Sequence, residues 1–116
     1  MAMIPMQKAE DEYATTTTAN IFSSTTSYFR ANSASLSKYG KTQTLSFIAD
    51  GIPNATWCNI GVLKEEFRPA ADISFPALAS SSSEARLWIQ ADGTVKVYNS
   101  SGSLANLNCT ATFLCA

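Results

Sequence analysis

The end of the chain carries the pattern that most constrains its fold. Apolar residues occupy every second position from Leu107 to Cys115, while Asn108, Thr110 and Thr112 stand between them. Only an extended strand places every second side chain on one face, so the pattern predicts a β-strand with one face in a core. From Ala14 onward no 3.6-residue apolar period persists, and the chain is therefore predicted to be all-β.

Composition favours strands and turns as well. Charged residues make up 15% of the chain, well below the roughly 25% of an average globular domain. Ser and Thr supply the polar surface instead, with 15 and 12 residues. Thr is β-branched, which favours strands. The hydroxyl groups of Ser and Thr compete with the backbone hydrogen bonds of a helix.

Short segments rich in β-branched, aromatic and other apolar residues follow one another, separated by Gly, Pro, Asn or Ser. With 116 residues the chain has the size of one domain, and many short strands are typical of a sandwich or barrel. We expect an antiparallel, jelly-roll-like β-sandwich over residues 14–116, preceded by a polar leader or end of a stalk over 1–13. The predicted strands are Ala14–Phe22, Thr26–Ala31, Ala34–Lys38, Gln43–Asp50, Thr56–Val62, Asp72–Ala77, Glu84–Gln90, Thr94–Tyr98 and Asn106–Leu114.

Side-chain parity predicts the turns of two hairpins. Leu87 and Ile89 must face Val97 and Val95, because directly opposed residues share a face of the sheet. A three-residue loop over 91–93 gives that pairing, with Gly93 in the left-handed conformation of a G1 bulge.

The earlier hairpin obeys the same rule. Leu36 should face Leu45, with Ala34 on the same side opposite Phe47. A two-residue turn of Gly40 and Lys41 provides the even loop length that this pairing needs.

Little in the sequence points to catalysis. The chain has no His, which removes the usual general base, the His-activated nucleophiles and the commonest metal ligand. Cys58, Cys109 and Cys115 are too far apart in sequence for a typical zinc set, and an odd number of cysteines argues for buried free thiols. Glu65 and Glu66 would point to opposite faces of a strand. We therefore expect no enzyme, no metal and no cofactor.

The composition of the chain argues against nucleic acid and membranes as partners. The net charge is −1 and the eight cations are scattered, whereas phosphate backbones require a gathered basic face. No run approaches the roughly 18 apolar residues of a membrane span, and residues 1–11 lack the apolar region of a signal peptide.

The candidate binding surface is the outer face of the second hairpin. Opposite Leu87 and Ile89, this face should carry amphipathic aromatic rings beside hydrogen-bonding groups. Such a surface suits a saccharide or a subunit interface, unless another part of the chain covers it. Trp57 is expected in the core. The candidate ligand-binding residues are Arg86, Trp88, Gln90, Lys96 and Tyr98, with Thr94 on the same face.

Two sequence segments resemble a known group of proteins. The first runs A-T-W-C-N-I-G-V-L-K-E-E-F-R-P-A-A-D-I-S-F-P-A over 55–77, and the second is R-L-W-I-Q-A-D-G-T-V-K-V-Y over 86–98. With the closing T-A-T-F-L, they resemble the C-terminal head, or receptor-binding, domains of phage tail-fibre and baseplate proteins, over about 45–114. In both segments the distinctive residues shape turns, as Pro69 does, and perform no chemistry.

The resemblance implies a function as well as a fold. It implies a homotrimeric head at the virion tail tip that binds bacterial cell-wall polysaccharide and contacts other phage tail proteins. The alternative is a structural tail or baseplate assembly module without glycan binding, whose aromatic residues serve subunit contacts.

Overall fold

The computed structural model describes residues 15–17, 20–79, 82–100 and 102–115, and the predicted leader over 1–13 lies outside them. The described residues form strands joined by turns and one 3₁₀ helix, Glu65–Phe67. The strands are β1 Thr15–Thr17, β2 Phe22–Thr25, β3 Ser35–Tyr39, β4 Thr42–Ile52, β5 Thr56–Leu63, β6 Ile73–Ala79, β7 Ser82–Ile89, β8 Thr94–Asn99 and β9 Ala105–Leu114.

The strands build two antiparallel sheets packed face to face, so the all-β sandwich prediction is confirmed. Sheet one has the order β1-β3-β4-β9 and sheet two the order β6-β7-β8-β5-β2. A short junction, Leu78↔Asn108 and Ala79↔Leu107, joins β6 to β9 and makes the hydrogen bonding continuous. The chain crosses between the sheets after β1, β2, β4 and β8.

The core lies between the sheets and is built from alternate residues. In β9 the residues from Ala105 to Leu114 alternate without exception between buried and exposed. Phe47 of sheet one meets Phe22 of sheet two edge to face, with ring centroids 6.2 Å apart. Cys58, Cys109 and Cys115 are buried free thiols, as predicted, and burial raises the pKa of Cys109 to about 12. The unreactive protonated thiol therefore serves as a small apolar core residue.

The β7–β8 hairpin has the predicted register and turn. Ile89 pairs with Val95 and Leu87 with Val97. The amide of Gln90 donates to the carbonyl of Thr94, the amide of Gly93 donates to the carbonyl of Gln90, and Gly93 has a φ of +94°. This is the three-residue loop with a left-handed glycine that parity requires.

The β3–β4 hairpin is confirmed in the same way. Leu36 pairs with Leu45, and Tyr39 pairs with Thr42 across a two-residue loop. Gly40, the first loop residue, has a φ of +61°, the conformation that a glycine at this position allows.

Two predicted strands near the start are wrong. The segment Ala14–Phe22 contributes to two strands, β1 and β2, on the edges of different sheets, and left-handed Asn20 with a φ of +61° precedes β2. The segment Thr26–Ala31 is a turn and crossover with one bridge, Phe29↔Ala49. The Thr26 carbonyl and hydroxyl accept the amides of Phe29 and Tyr28, a local alternative to strand pairing that Thr offers and β-propensity ignores.

The fold should tolerate the loss of Gly93 less well than the loss of Gly40. A Cβ at Gly93 would lie 2.8 Å from the carbonyl oxygen of Leu63 and 2.6 Å from Nε of Arg68, whereas a Cβ at Gly40 meets nothing within 4 Å. Both substitutions place alanine at positive φ, which costs about 1 kcal/mol. Gly93→Ala adds overpacking, worth about 1–3 kcal/mol more.

Urea unfolding of the two alanine variants measures this difference. We expect the free energy of unfolding to fall clearly further for Gly93→Ala than for Gly40→Ala. Equal losses would contradict the close packing of the hairpin turn against the end of β5.

Candidate functional site

The outward side chains of β5, β7 and β8 form one continuous surface, here called the aromatic face. Its members are Trp57, Asn59, Arg86, Trp88, Gln90, Thr94, Lys96 and Tyr98. Strand register aligns most of them in two rows, of which one runs Trp57, Tyr98, Arg86 and the other Asn59, Lys96, Trp88. Each row continues onto β6, where Pro76 pairs with Arg86 and Ser74 pairs with Trp88.

Three aromatic rings pack together at the centre of this face. The Trp57 ring lies 5.1 Å from the Tyr98 ring at an interplanar angle of 44°, and 5.7 Å from the Trp88 ring at 67°. Tilted and edge-to-face contacts at these distances are the favourable geometries for aromatic pairs. The rings therefore hold one another in place on the outside of the sandwich.

The exposure of the cluster is uneven. Trp57 is 45% exposed, whereas Trp88 and Tyr98 are half-buried beside it. Nζ of Lys96 lies over the Trp88 ring at 5.1 Å from its centroid, a cation–π contact that covers part of that ring. The accessible surface of the cluster is therefore mainly Trp57, rimmed by exposed Asn59 and Arg86.

The structure brings most of the predicted ligand-binding residues together. Arg86, Trp88, Lys96 and Tyr98 are adjacent in two paired strands. Gln90 follows the end of β7, half-buried, and its backbone makes the hydrogen bonds that close the turn. It therefore marks the edge of the face, two positions beyond Trp88.

The expected burial of Trp57 is wrong, and Asn59 was missed. Both residues face outward because their neighbours Cys58 and Ile60 occupy the inner face of β5. The signal was present in the sequence, since the parity used for the hairpins also separates Trp57 from Cys58. Residue type suggests that a tryptophan beside a cysteine is buried, but the position of the residue in the strand decides which face of the sheet it occupies.

Two described carboxylates near this face, Asp92 and Asp72, serve the turns. An oxygen of Asp92 accepts the amide of Thr94 at 2.9 Å, and this hydrogen bond is the main cause that lowers the pKa of Asp92. Asp72 accepts the amide of Ala91 at 2.8 Å. Glu65 and Glu66 lie exposed in the 3₁₀ helix.

A second surface feature is an apolar groove between the sheets. Beyond the junction at Asn108, β6 and β9 diverge, and the groove between them has a volume of about 410 Å³. Pro69 closes its far end through a bridge to Cys115. Its lining is apolar apart from Thr112, and includes Pro69, Ile73, Phe75, Phe113 and Leu114.

The described residues hold no group of three or more His, Cys, Asp or Glu side chains that could bind a metal ion. No helix among them is long and apolar enough to cross a membrane. The aromatic face offers a ring surface with amide, guanidinium and ammonium donors around it, which suits recognition of a ligand that is apolar on one side and polar at its rim.

Comparison with known proteins leaves the family open. No protein-family model matches the sequence, and no curated protein matches it.

The two tryptophans should differ in access to solvent. The chain has only these two, so Trp88→Phe reports Trp57 and Trp57→Phe reports Trp88. We expect acrylamide to quench the fluorescence of the Trp88→Phe variant more strongly, because the observed Trp57 is 45% exposed and Trp88 is partly covered by Lys96. Stern–Volmer constants measure this, and the opposite order would place Trp57 in the interior.

Proposed function

We propose that this chain is a binding module that holds a bacterial cell-surface saccharide on its aromatic face, as the head of a phage or prophage tail tip. The observation that carries the proposal is the exposed Trp57, packed against Tyr98 and Trp88 and rimmed by polar side chains. In this role the module binds and does not catalyse.

The chemistry of a sugar ring matches this surface. A pyranose has one face of C–H groups, which can lie against an indole ring, and a rim of hydroxyls that need hydrogen-bond partners. Asn59 supplies both donors and acceptors at the rim, and Arg86 supplies donors. Because neighbouring rings already hold Trp57 in place, little side-chain freedom is lost on binding.

The shallowness of the face suits a repeated receptor contact. A single site of this kind buries a small area and should bind weakly. Several heads on one particle would bind together, and a high effective concentration raises the overall affinity by about 10²–10⁴-fold. The resemblance of 45–114 to tail-tip heads supports this arrangement, with the homotrimer as its unit and the virion as its location.

Substitution of Trp57 tests the saccharide site directly. Trp57→Ala should weaken binding to purified host cell-wall polysaccharide at least about tenfold, since a well-placed aromatic contact is worth more than 1 kcal/mol. Trp88→Ala should also weaken it, by removing the support of Trp57. Titration calorimetry measures both effects.

The matched control is Tyr39→Ala, another exposed aromatic residue, on β3 of the opposite sheet. It should bind as the unchanged protein does. Equal loss in both variants, or intact binding by Trp57→Ala, would contradict the proposal. Release of reducing sugar during the titration would identify an enzyme instead.

The apolar groove favours a second candidate, an assembly module that binds a second copy of this chain. From Cys109 to Leu114 the edge of β9 that faces away from β4 has no strand partner among the described residues. Leu114 is 64% exposed beside it. Unpaired edges next to apolar surface are the usual place for strand addition.

Light scattering with a Leu114→Asp variant tests the assembly candidate. If copies associate through the groove, the unchanged protein should have a threefold mass and Leu114→Asp the mass of one chain, because the new charge would be desolvated in the contact. Leu104→Asp, at a residue 67% exposed outside the groove, is the control. A single-chain mass for the unchanged protein would exclude self-assembly through this groove.

A further inference from the structure

The cations of the described chain are distributed unevenly. Arg30 is held by Asp50, with Nη2 and Oδ1 2.7 Å apart. Arg68 donates from Nε to the carbonyl of Leu63, and Nζ of Lys38 lies over the Phe67 ring. Arg86 and Lys96 stand on the aromatic face instead.

The described side chains of the aromatic face include no carboxylate. They are two cations, three aromatic rings, and the polar residues Asn59, Gln90 and Thr94. Asp92 lies at the turn end of this face, and its electrostatic interaction with Lys96 is the smallest cause of its lowered pKa. Asp92 lies in the hairpin turn, whereas Arg86 lies at the other end of the paired strands. Of the two described cations of this face, Arg86 is therefore the one farther from Asp92.

The environment of Arg86 suits an anion. Its side chain is exposed, and it pairs across the strands with Tyr98, which in turn pairs with Trp57. A guanidinium offers five donors in a planar fork that matches a carboxylate or phosphate with two parallel hydrogen bonds. The exposed ring and this fork lie in a single row across three strands.

We infer that the aromatic face selects an acidic saccharide, with a sugar ring against Trp57 and a carboxylate or phosphate group at Arg86. The inference rests on the proposed function and specifies its ligand class. Neighbouring strands lie about 4.8 Å apart, so the backbones of Trp57 and Arg86 are separated by roughly 10 Å. That span exceeds one pyranose ring, and the acid group therefore belongs to the next sugar or to a substituent that bridges the gap.

Three soluble polymers distinguish the possibilities: dextran as the neutral saccharide, polygalacturonate as the carboxylate and poly(glycerol phosphate) bearing glucose as the phosphate. Titrations of the full chain at 20, 150 and 500 mM NaCl, roughly spanning weak to strong screening, give the affinity and its salt dependence. We expect at least one acidic polymer to bind ten times more tightly than dextran at the lowest salt, and to lose that advantage at the highest. The better acidic polymer identifies the anionic group.

Arg86→Gln is the decisive variant, because it removes the charge and the fork while the β7 backbone stays. It should lower the affinity for the acidic polymer at least about tenfold and flatten the salt dependence, while the affinity for dextran falls by a much smaller factor, because the Gln amide still offers a donor at the rim. Arg86→Lys keeps the charge without the planar fork. Its affinity for the acidic polymer should lie between those of the unchanged protein and Arg86→Gln. Lys41→Gln, an exposed cation in the β3–β4 turn, is the control and should leave all affinities unchanged.

The inference and the proposed function fail in different ways. Equal binding of dextran and both acidic polymers, with Arg86→Gln unchanged, overturns the acidic ligand and leaves the saccharide site intact. Equal weakening by Arg86→Gln and Lys41→Gln also overturns it, because general attraction between charges would then explain the binding. If none of these polymers nor host polysaccharide binds, both proposals fall.

Discussion

The register of β8 against its two neighbours is the constraint on which the rest of the structure depends. β8 pairs with β7 on one side and β5 on the other, so one choice of register decides which side chains of three strands face the core. A shift by one residue would expose Val95 and Val97 and bury Lys96, at the cost of desolvating a charge. The three-residue turn that ends in Gly93 fixes this choice locally. The register of β8 therefore determines both the packing of the core and the composition of the outer surface.

Alternation explains why so much of the fold could be predicted from the sequence. Strand parity depends only on neighbouring residues, and it identified both hairpins, including the two-residue turn at Gly40 and the bulge at Gly93. The aromatic face followed from the same rule for β7 and β8. Residue type alone predicts that Trp57 is buried. The inward positions of Cys58 and Ile60 place Trp57 on the outer face of β5.

Other features could not be predicted, because they depend on contacts between distant segments. The divergence of β6 from β9 that opens the apolar groove follows from how the two sheets meet, and no local pattern records it. The crossover after β2 also depends on contacts between distant segments. Thr26 is a good strand residue by propensity, yet its hydroxyl donates to the backbone of β5, and the chain then turns toward the bridge between Phe29 and Ala49. Tertiary contacts decide such positions.

The two surface features differ in a way that separates ligand binding from assembly. The groove is lined almost wholly by apolar side chains and borders a strand edge without a partner among the described residues, which is how protein contacts are usually built. The aromatic face mixes rings with donors and carries the exposed guanidinium of Arg86, and burying that guanidinium under a protein would require a matching acid on the partner. A flexible, hydrated polymer can supply an acidic group without covering the whole face. This difference supports the proposals of a polysaccharide on the aromatic face and of another copy of the chain in the groove.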